Sequence, residues 1–184
     1  MAAAVALYSL APALSRVPRV TFAEAVREHQ DEVFGVALRI TGDRDAALDV
    51  TSTTFLKAYR AFDRYDPSRP LRHWLLRIAS NEAISYARVR TRELRRRAGE
   101  ESAEVLPDAA ATPDELSVAR EERERIRAAV ANLPERYRVV IVLRYFNDLA
   151  VEEVARVVGR PASTVGVQLL RGRAMLRQAL EAAS

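Results

Sequence analysis

The sequence predicts an all-α protein built as two small helical domains joined by a flexible acidic linker. Along most of its 184 residues, apolar side chains recur three and four positions apart, and no stretch of useful length alternates as a strand does. The segment GEESAEVLPDAAATPDELS interrupts this pattern with two prolines, small residues and many carboxylates. Such a composition is typical of a solvated tether between domains.

The composition limits the classes of function. The chain is 49% apolar, which is enough for one ordinary domain or two small ones. It has no cysteine and so forms neither disulfides nor thiolate metal sites, and we expect a reducing, cytoplasmic compartment. The net charge is only +4, but Lys57 is the sole lysine among 29 basic residues, and the arginine fork suits phosphate groups.

The N-terminal stretch, residues 1–20, is predicted to be a disordered extension. No basic residue precedes its apolar run, Pro12 interrupts that run, and the run is far shorter than the roughly 20 residues of a membrane span. We therefore expect neither a targeting signal nor insertion into a membrane.

Two amphipathic helices are predicted next. The first starts at Phe22 and ends before Gly42, which stands where a C-cap glycine belongs. The second spans about residues 44–62, with Asp43 or Asp45 as its N-cap. Its predicted inner stripe comprises Ala47, Leu48, Thr51, Phe55, Ala58, Tyr59 and Phe62.

A third helix is predicted after the proline-containing loop DRYDPSRP. It starts near Leu71 with an apolar face that includes Trp74, and it then carries six arginines within residues 88–97. The arginine run is either a solvated face or a nucleic-acid contact. Trp74 and Tyr86 lie near the run and suit stacking of unpaired bases, although Trp74 also fits a core position.

Four further helices are predicted after the linker. Pro134 ends the first of them, and Gly159 ends the third. Pro161 then fits the first position of the last helix, where its missing N–H costs nothing. The inner stripe of this last helix comprises Val165, Leu169, Gly172, Leu176 and Leu180.

The last two helices have the outline of a helix-turn-helix unit, because a tight glycine-containing turn joins a short helix to a longer, basic one. If the inner stripe packs on the core, the opposite face presents Thr164, Gln168 and Arg171 to a major groove. Gln pairs bidentately with adenine and Arg with guanine, while Arg173 and Arg177 are better placed for phosphates. The alternative is a helical hairpin whose basic face is merely solvated.

Two longer blocks carry a family resemblance. They are FDRYDPSRPLRHWLLRIASNEAI, followed by the arginine run, and LPERYRVVIVLRYFNDLAVEEVARVVGRPASTV. In this order they resemble the second and fourth conserved regions of bacterial extracytoplasmic-function sigma factors, of the sigma-70 family, and the resemblance covers about residues 22–180. It implies a region 2 helical bundle at residues 21–97, a linker at residues 98–118 and a region 4 helix-turn-helix domain at residues 119–184.

The resemblance also implies a function. Such a protein is an initiation subunit that binds core RNA polymerase, directs it to specific promoters and helps to open the DNA, with an anti-sigma factor as a further partner. Asp49 and Phe55 fall in the helix that, in the family, docks on the polymerase clamp. Trp74 and Asn81 match the signature W..L..IA.N, in which the asparagine position reads an extruded base of the minus-ten element.

Further DNA contacts follow from the same resemblance. The residues implied to grip the backbone beside the extruded base are Arg88, Arg90 and Arg92. The residues implied to read the minus-thirty-five element are Ser163, Thr164, Gln168, Arg171 and Arg173.

The sequence departs from the family's pattern at several positions. Leu48, Ser52 and Thr53 stand where acidic or amide residues are common, Ala150 replaces a capping serine, and GVQ at residues 166–168 replaces a basic-small-basic run. Two alternatives therefore stay open. One is a degenerate sigma-like protein that binds polymerase or a regulator without initiating, and the other is a one-component DNA-binding regulator.

An enzyme is not expected. His29 lies in an apolar stripe, and His73 has no second histidine at ligand spacing. The sequence has no phosphate-cradling glycine loop and no recognisable pair of nucleophile and base. We therefore expect no catalytic residue, no metal, no cofactor and no small-molecule substrate.

Overall fold

The computed structural model describes residues 21–98 and 117–182, and every regular element within them is helical. The predicted all-α class is therefore confirmed. The predicted extension, residues 1–20, and nearly all of the predicted linker, residues 98–118, lie outside the described residues. The helices are α1 (Phe22–Thr41), α2 (Arg44–Ala61), α3 (Leu71–Ala98), α4 (Ser117–Ala131), α5 (Glu135–Tyr145), α6 (Val151–Val158) and α7 (Ala162–Ala182), with a single 3-10 turn at Phe62–Arg64.

Short polar signals fix the ends of the first two helices. The Thr21 hydroxyl accepts from the Glu24 N–H, and the Glu24 carboxylate accepts from the Thr21 N–H in return, which makes a capping box. Gly42 ends α1 in the left-handed conformation with φ 71°, as predicted. Asp43 caps α2 by accepting from the Ala46 N–H at 3.0 Å. That bond, together with one from Arg90, holds the pKa of the Asp43 carboxyl below its usual value.

The third helix is one continuous rod of 28 residues. Its first half packs on α1 and α2 through Leu75 and Ala79, which are buried with Val33 and Ala58. Trp74 lies at the edge of this core, 5.2 Å from the ring of Tyr65. Of the two predicted roles, Trp74 therefore has the packing role. The arginine run lies on the second half of the same helix.

The helix-turn-helix unit is present as predicted. Gly159 ends α6 with φ 66°, and α7 begins just after Pro161. The backbones of α5 and α7 approach closely at Gly172, where an added Cβ would lie 3.0 Å from Cγ1 of Ile141. At the start of α6, Ala150 provides no side-chain cap, but its N–H donates to the Glu153 carboxylate at 2.7 Å. One of the two hydrogen bonds of a capping box is therefore kept, although the usual serine is absent.

The two helical parts pack against each other, which the sequence did not predict. One buried apolar cluster continues through both of them and includes Ile40 of α1, Leu76 of α3 and Val140 of α5. Arg138 of α5 donates to the Ile40 carbonyl at the C-terminal end of α1. Because this carbonyl belongs to the last turn of a helix, the guanidinium supplies a partner that the helix itself does not.

A cluster of hydrogen-bonded polar side chains around Glu32 also joins these two parts. Arg72 donates to both carboxylate oxygens of Glu32, at 2.8 and 3.0 Å from its Nε. Asn147, in the loop before α6, donates to Glu32 Oε1 at 3.0 Å. Burial raises the pKa of Glu32, but the hydrogen bonds from Arg72 and Asn147 outweigh it, so the net pKa lies below the usual value.

Candidate nucleic-acid interface

One face of α3 presents polar and basic side chains to solvent. Asn81, Ser85, Arg88 and Arg92 are all exposed, and their spacing of three or four residues places them on one side of the helix. Asn81 and Arg88 lie on the walls of an open cleft of about 290 Å³ between α3 and the α5–α7 part. We call this space the interdomain cleft. The structure thus brings together three of the five residues predicted to bind the minus-ten region.

Across the interdomain cleft, Arg88 is paired with Glu135 of α5. Its Nε and Nη2 donate to the two carboxylate oxygens at 3.0 and 2.8 Å, in the parallel geometry that carboxylate and phosphate groups both accept. The Arg88 side chain keeps 57% of its surface exposed. Such an exposed pair contributes only about 0–1 kcal/mol, so little stability is lost if α3 and α5 separate and Arg88 becomes free to bind a phosphate.

Arg90 does not lie with this group. It is two residues from Arg88, projects from a different side of α3, and donates to the Asp43 carboxylate at 2.8 Å. Trp74 is half-buried against the ring of Tyr65 rather than free to stack on a base. The predicted grip of Arg90 on the DNA backbone therefore finds no support in the structure, which gives this side chain a role in joining α3 to α2.

The second surface lies on α2. Three of its exposed side chains are large and apolar: Leu48 is 47%, Leu56 49% and Tyr59 64% exposed. Asp49 lies among them and is also exposed. Phe55 is half-buried instead, with its ring edge-on to Phe22. We call the group of Leu48, Asp49, Ser52, Leu56 and Tyr59 the α2 outer surface.

The α2 outer surface corrects the predicted inner stripe of this helix. Leu48 and Tyr59 were assigned to the core because they are apolar at helical spacing, and both assignments are wrong. The core side of α2 is made by small residues instead, among them Ala47 and Ala58, which let α1 and α3 approach closely. Leu56 was not singled out from the sequence at all. A large apolar group on an outward face is the signal of a protein-binding surface.

The third surface lies on α7, and one residue there differs from its prediction. Ser163 and Arg171 are exposed and Thr164 is half-buried, in keeping with the predicted outer face. Gln168 is only 8% exposed, next to the buried Val165 and Gly172, and its Oε1 atom has no hydrogen-bond partner among the described residues. Gln168 is therefore not on the exposed side of α7 in this structure, and its predicted contact with a major groove stays a prediction.

Burial of Gln168 has a geometric cause. It borders both the interdomain cleft and a shallow groove between the starts of α5 and α7, and it lies with Gly172 on the side of α7 that packs against α5. The groove has a volume of about 380 Å³ and is lined by Arg136, Tyr137 and Arg171 among others. A hydrogen bond from Arg171 lowers the pKa of the Tyr137 hydroxyl.

The described residues contain neither a cluster of metal ligands nor a membrane-spanning helix. In residues 21–98 and 117–182, no group of three or more metal-ligating side chains converges on one point. His29 lies 3.9 Å from Glu32, and His73 lies 3.4 Å from Glu153, each as a single pair. No helix in these stretches combines the length and apolar character that a membrane crossing requires.

Two helical modules on one chain, one with an exposed amide and arginine face and the other with a helix-turn-helix, define a DNA-binding protein of modular type. Comparison with known families identifies the group. Residues 25–93 match Sigma-70 region 2, and residues 123–176 match Sigma-70 region 4. The chain belongs to the extracytoplasmic-function sigma factors of the sigma-70 family.

Curated relatives of similar length support this membership. The ECF RNA polymerase sigma factor SigW of Bacillus subtilis is 30% identical over 165 residues, which is 86% of this chain and 88% of SigW. The RNA polymerase sigma-H factor of Pseudomonas aeruginosa is 31% identical over 162 residues, with 85% and 84% of the two chains covered.

Solved structures share the fold. The sigma factor RpoE in complex with the anti-sigma factor NepR, from Bartonella quintana, superposes with a TM-score of 0.70 at 23% identity, over 87% of this chain and 96% of RpoE. CnrH in complex with the cytosolic domain of CnrY superposes with a TM-score of 0.64 at 28% identity, over 89% of each chain.

Proposed function

We propose that this chain binds core RNA polymerase, directs it to particular promoters and assists the opening of the DNA. The observation that carries the proposal is the pairing, within one sigma-family chain, of an exposed face with Asn81 and Arg88 on α3 and a helix-turn-helix at α6 and α7. A one-component regulator needs only the helix-turn-helix. An amide and arginine face on a separate module is what an unpaired strand requires.

The α2 outer surface is the proposed contact with the polymerase clamp. Leu48, Leu56 and Tyr59 supply apolar area, and the exposed carboxylate of Asp49 supplies a charge that fixes orientation. The acidic and amide residues common in the family are replaced here, so apolar burial carries more of this contact. Phe55 contributes by supporting the surface from beneath, through its ring contact with Phe22.

The exposed face of α3 is the proposed site for the minus-ten strand. The Asn81 amide offers a donor and an acceptor to a base edge, and an unpaired base needs both once it leaves the stack. Arg88 and Arg92 follow Asn81 on the same face and are placed to neutralise adjacent phosphates. Trp74 and Arg90 hold α3 in position from within the module.

The exposed residues of α7 are the proposed readers of the minus-thirty-five element. Arg171 can donate bidentately to guanine, while Ser163, Thr164 and Arg173 can position the helix through phosphates. Gln168 is not included, because it is buried. The proposed functional parts are residues 21–97 for polymerase and the minus-ten element, residues 98–118 as a tether, and residues 119–184 for the minus-thirty-five element.

An anti-sigma factor is a further proposed partner. Among the similar solved structures, the sigma factor RpoE is bound to the anti-sigma factor NepR, and CnrH is bound to the cytosolic domain of CnrY. A sigma factor acts on polymerase and chromosomal DNA, so we propose the cytoplasm as the place of action. As an initiation subunit it supplies binding and positioning, and the polymerase supplies the chemistry.

Transcription with purified core polymerase tests the proposal. The chain is expected to support promoter-dependent transcripts from templates of its own genome, with start sites that share an upstream element. Tight core binding without any such transcript would favour the degenerate sigma-like protein. A footprint on duplex DNA by the free chain, with no core binding, would favour the one-component regulator.

Asn81→Ala provides the site-specific test. It is expected to impair opening and minus-ten discrimination while leaving affinity for a duplex upstream element near that of the wild type. Ser85→Ala, at an exposed position on the same face, is the matched control. Equal losses on pre-melted and on duplex templates would contradict the role of Asn81.

A further inference from the structure

The outward face of α7 has an apolar centre. Val167 is 50% exposed and Leu170 is 61% exposed, although both lie on the longer helix of the helix-turn-helix. At about 100° of rotation per residue, they fall with Ser163 and Ala174 within an arc of roughly 60°. The face that a major groove would meet first is therefore apolar in its middle, and the buried Gln168 is not part of it.

The charges around this face favour duplex DNA as its partner. Exposed arginines border it, with Arg171 on one side and Arg173 and Arg177 on the other, and α7 carries no acidic residue before Glu181. A helix of this kind is strongly attractive to phosphates on both flanks. The apolar centre would then lie against base edges, between the two lines of phosphate contacts.

Chemistry selects the base that an apolar side chain can read. Val167 and Leu170 have no hydrogen-bonding group in their side chains, so they make no polar contact with the edges of guanine, adenine or cytosine. In the major groove, thymine alone presents a methyl group, and apolar side chains discriminate in favour of it.

Close approach is also sterically open on this part of the helix. Gly166 has no side chain, and a Cβ added there would meet nothing within 4 Å. The DNA backbone can thus come nearer to the start of α7 than it could beside the basic side chain common in the family. Nearness matters, because methyl contacts contribute only within van der Waals distance.

We propose that Val167 and Leu170 read thymine C5-methyl groups in the major groove of the upstream promoter element. The inference rests on the proposed function and adds the base preference that this chain's own residues impose. It predicts that the upstream element contains thymines at the positions facing these two side chains, beside the base contacted by Arg171.

Deoxyuridine scanning tests the proposal, because deoxyuridine pairs as thymine does and lacks only the methyl group. Full-length chain and core polymerase are assembled on a promoter located by start-site mapping, and each thymine of the upstream element is replaced singly. Loss of one buried methyl group is expected to weaken binding about fourfold at one or two positions. Thymines elsewhere in the promoter serve as internal controls.

Alanine variants assign each methyl group to a side chain. Val167→Ala and Leu170→Ala should each abolish sensitivity to deoxyuridine at one position while keeping it at the other. Both side chains are half or more exposed, so these variants are expected to fold normally. Met175→Ala is the matched control, since Met175 is an exposed apolar residue on another side of α7 and should leave the sensitivity unchanged.

The possible outcomes distinguish a failure of the proposed methyl contacts from a failure of the proposed sigma function. If the wild-type holoenzyme initiates but is insensitive to deoxyuridine throughout the upstream element, the methyl contacts are refuted and the sigma function stands. The same holds if the sensitivity survives in both variants, in which case other side chains contact the methyl groups. If no promoter-dependent transcript forms, the proposed function fails and this inference falls with it.

Discussion

Gly166 and Gly172 lie on different sides of α7, and replacing each with alanine is expected to change stability in opposite directions. Glycine inside a helix is less favourable than alanine by about 1 kcal/mol, because it loses more backbone freedom on folding. At Gly166 an added Cβ meets nothing within 4 Å. Gly166→Ala should therefore raise the free energy of unfolding by about 1 kcal/mol.

Replacing Gly172 with alanine brings the same gain in helix propensity, but the surroundings of Gly172 are crowded. Its added Cβ would lie 3.0 Å from Cγ1 and 3.3 Å from Cδ1 of Ile141, and 3.4 Å from Cβ of Tyr137. These atoms are buried between α5 and α7, and overpacking of this kind costs about 1–3 kcal/mol. After the gain of about 1 kcal/mol in helix propensity, Gly172→Ala should lower stability by about 0–2 kcal/mol.

Thermal and urea unfolding followed by circular dichroism measure the difference between the two variants. It should be about 1–3 kcal/mol, or a separation in Tm of several degrees at about 2–4 °C per kcal/mol for a chain of this size. Ile141→Val removes the Cδ1 contact, so it should cost less in the Gly172→Ala background than in the wild type. If both glycine variants were equally stabilised, the close approach of α5 and α7 at Gly172 would be refuted.

Two further predictions concern charged groups. The folded pKa of Glu32 lies below its usual 4.5, so the hydrogen bonds of its carboxylate with Arg72 and Asn147 are fully formed above pH 4.5 and are lost as the pH falls through the lowered pKa. Fluorescence energy transfer between the two helical parts should report their separation on acidification. The variant Glu32→Gln, which is neutral at every pH, should remove this pH dependence. Arg171→Ala should flatten the salt dependence of upstream-element binding by about one contact and raise the pKa of Tyr137, which the Arg171 hydrogen bond lowers. An unchanged salt slope together with an unchanged tyrosine titration would show that Arg171 contacts neither group.

The helices of this protein were predictable because their ends carry local chemistry. Gly42 and Gly159 stop helices by adopting positive φ, Asp43 caps with its own carboxylate, and Pro161 precedes a first turn. Each signal acts within about four residues and needs no knowledge of the rest of the chain. The continuity of α3 through the arginine run followed in the same way from unbroken helical residues.

The faces of the helices were less predictable, because burial depends on what packs against them. Periodicity assigned Leu48 and Tyr59 to the core, yet small residues on α2 let its neighbours approach from the other side. Gln168 was assigned to solvent as a polar residue, yet it lies on the side of α7 that packs against α5. In the arginine run, Arg88 and Arg90 look equivalent in sequence but bind carboxylates on different helices. The packing of neighbouring helices decides all of these assignments, and no local pattern encodes that packing.

The contacts between the two helical parts leave one proposed DNA-reading surface accessible and restrict access to the other. Val167 and Leu170 are exposed while the two helical parts are together, so duplex DNA can reach them. Asn81 is exposed but borders the interdomain cleft, and Arg88 is bound to Glu135, whose carboxylate would repel an incoming phosphate. Upstream duplex recognition is therefore compatible with the closed arrangement, whereas capture of a melted strand requires the parts to separate.

A reversible crosslink tests this order of events. The chain has no cysteine, and the exposed Arg77 donates to the carbonyl of Arg156 across the domain contact, so cysteines at these two positions can be joined by a cleavable bismaleimide. The locked chain should keep binding a duplex upstream element but fail to form open complexes with core polymerase, and cleavage should restore opening. A single cysteine at position 77, treated with the same reagent, controls for modification. Opening by the locked chain at the unlocked rate would mean that Asn81 reaches DNA without any separation of the two parts.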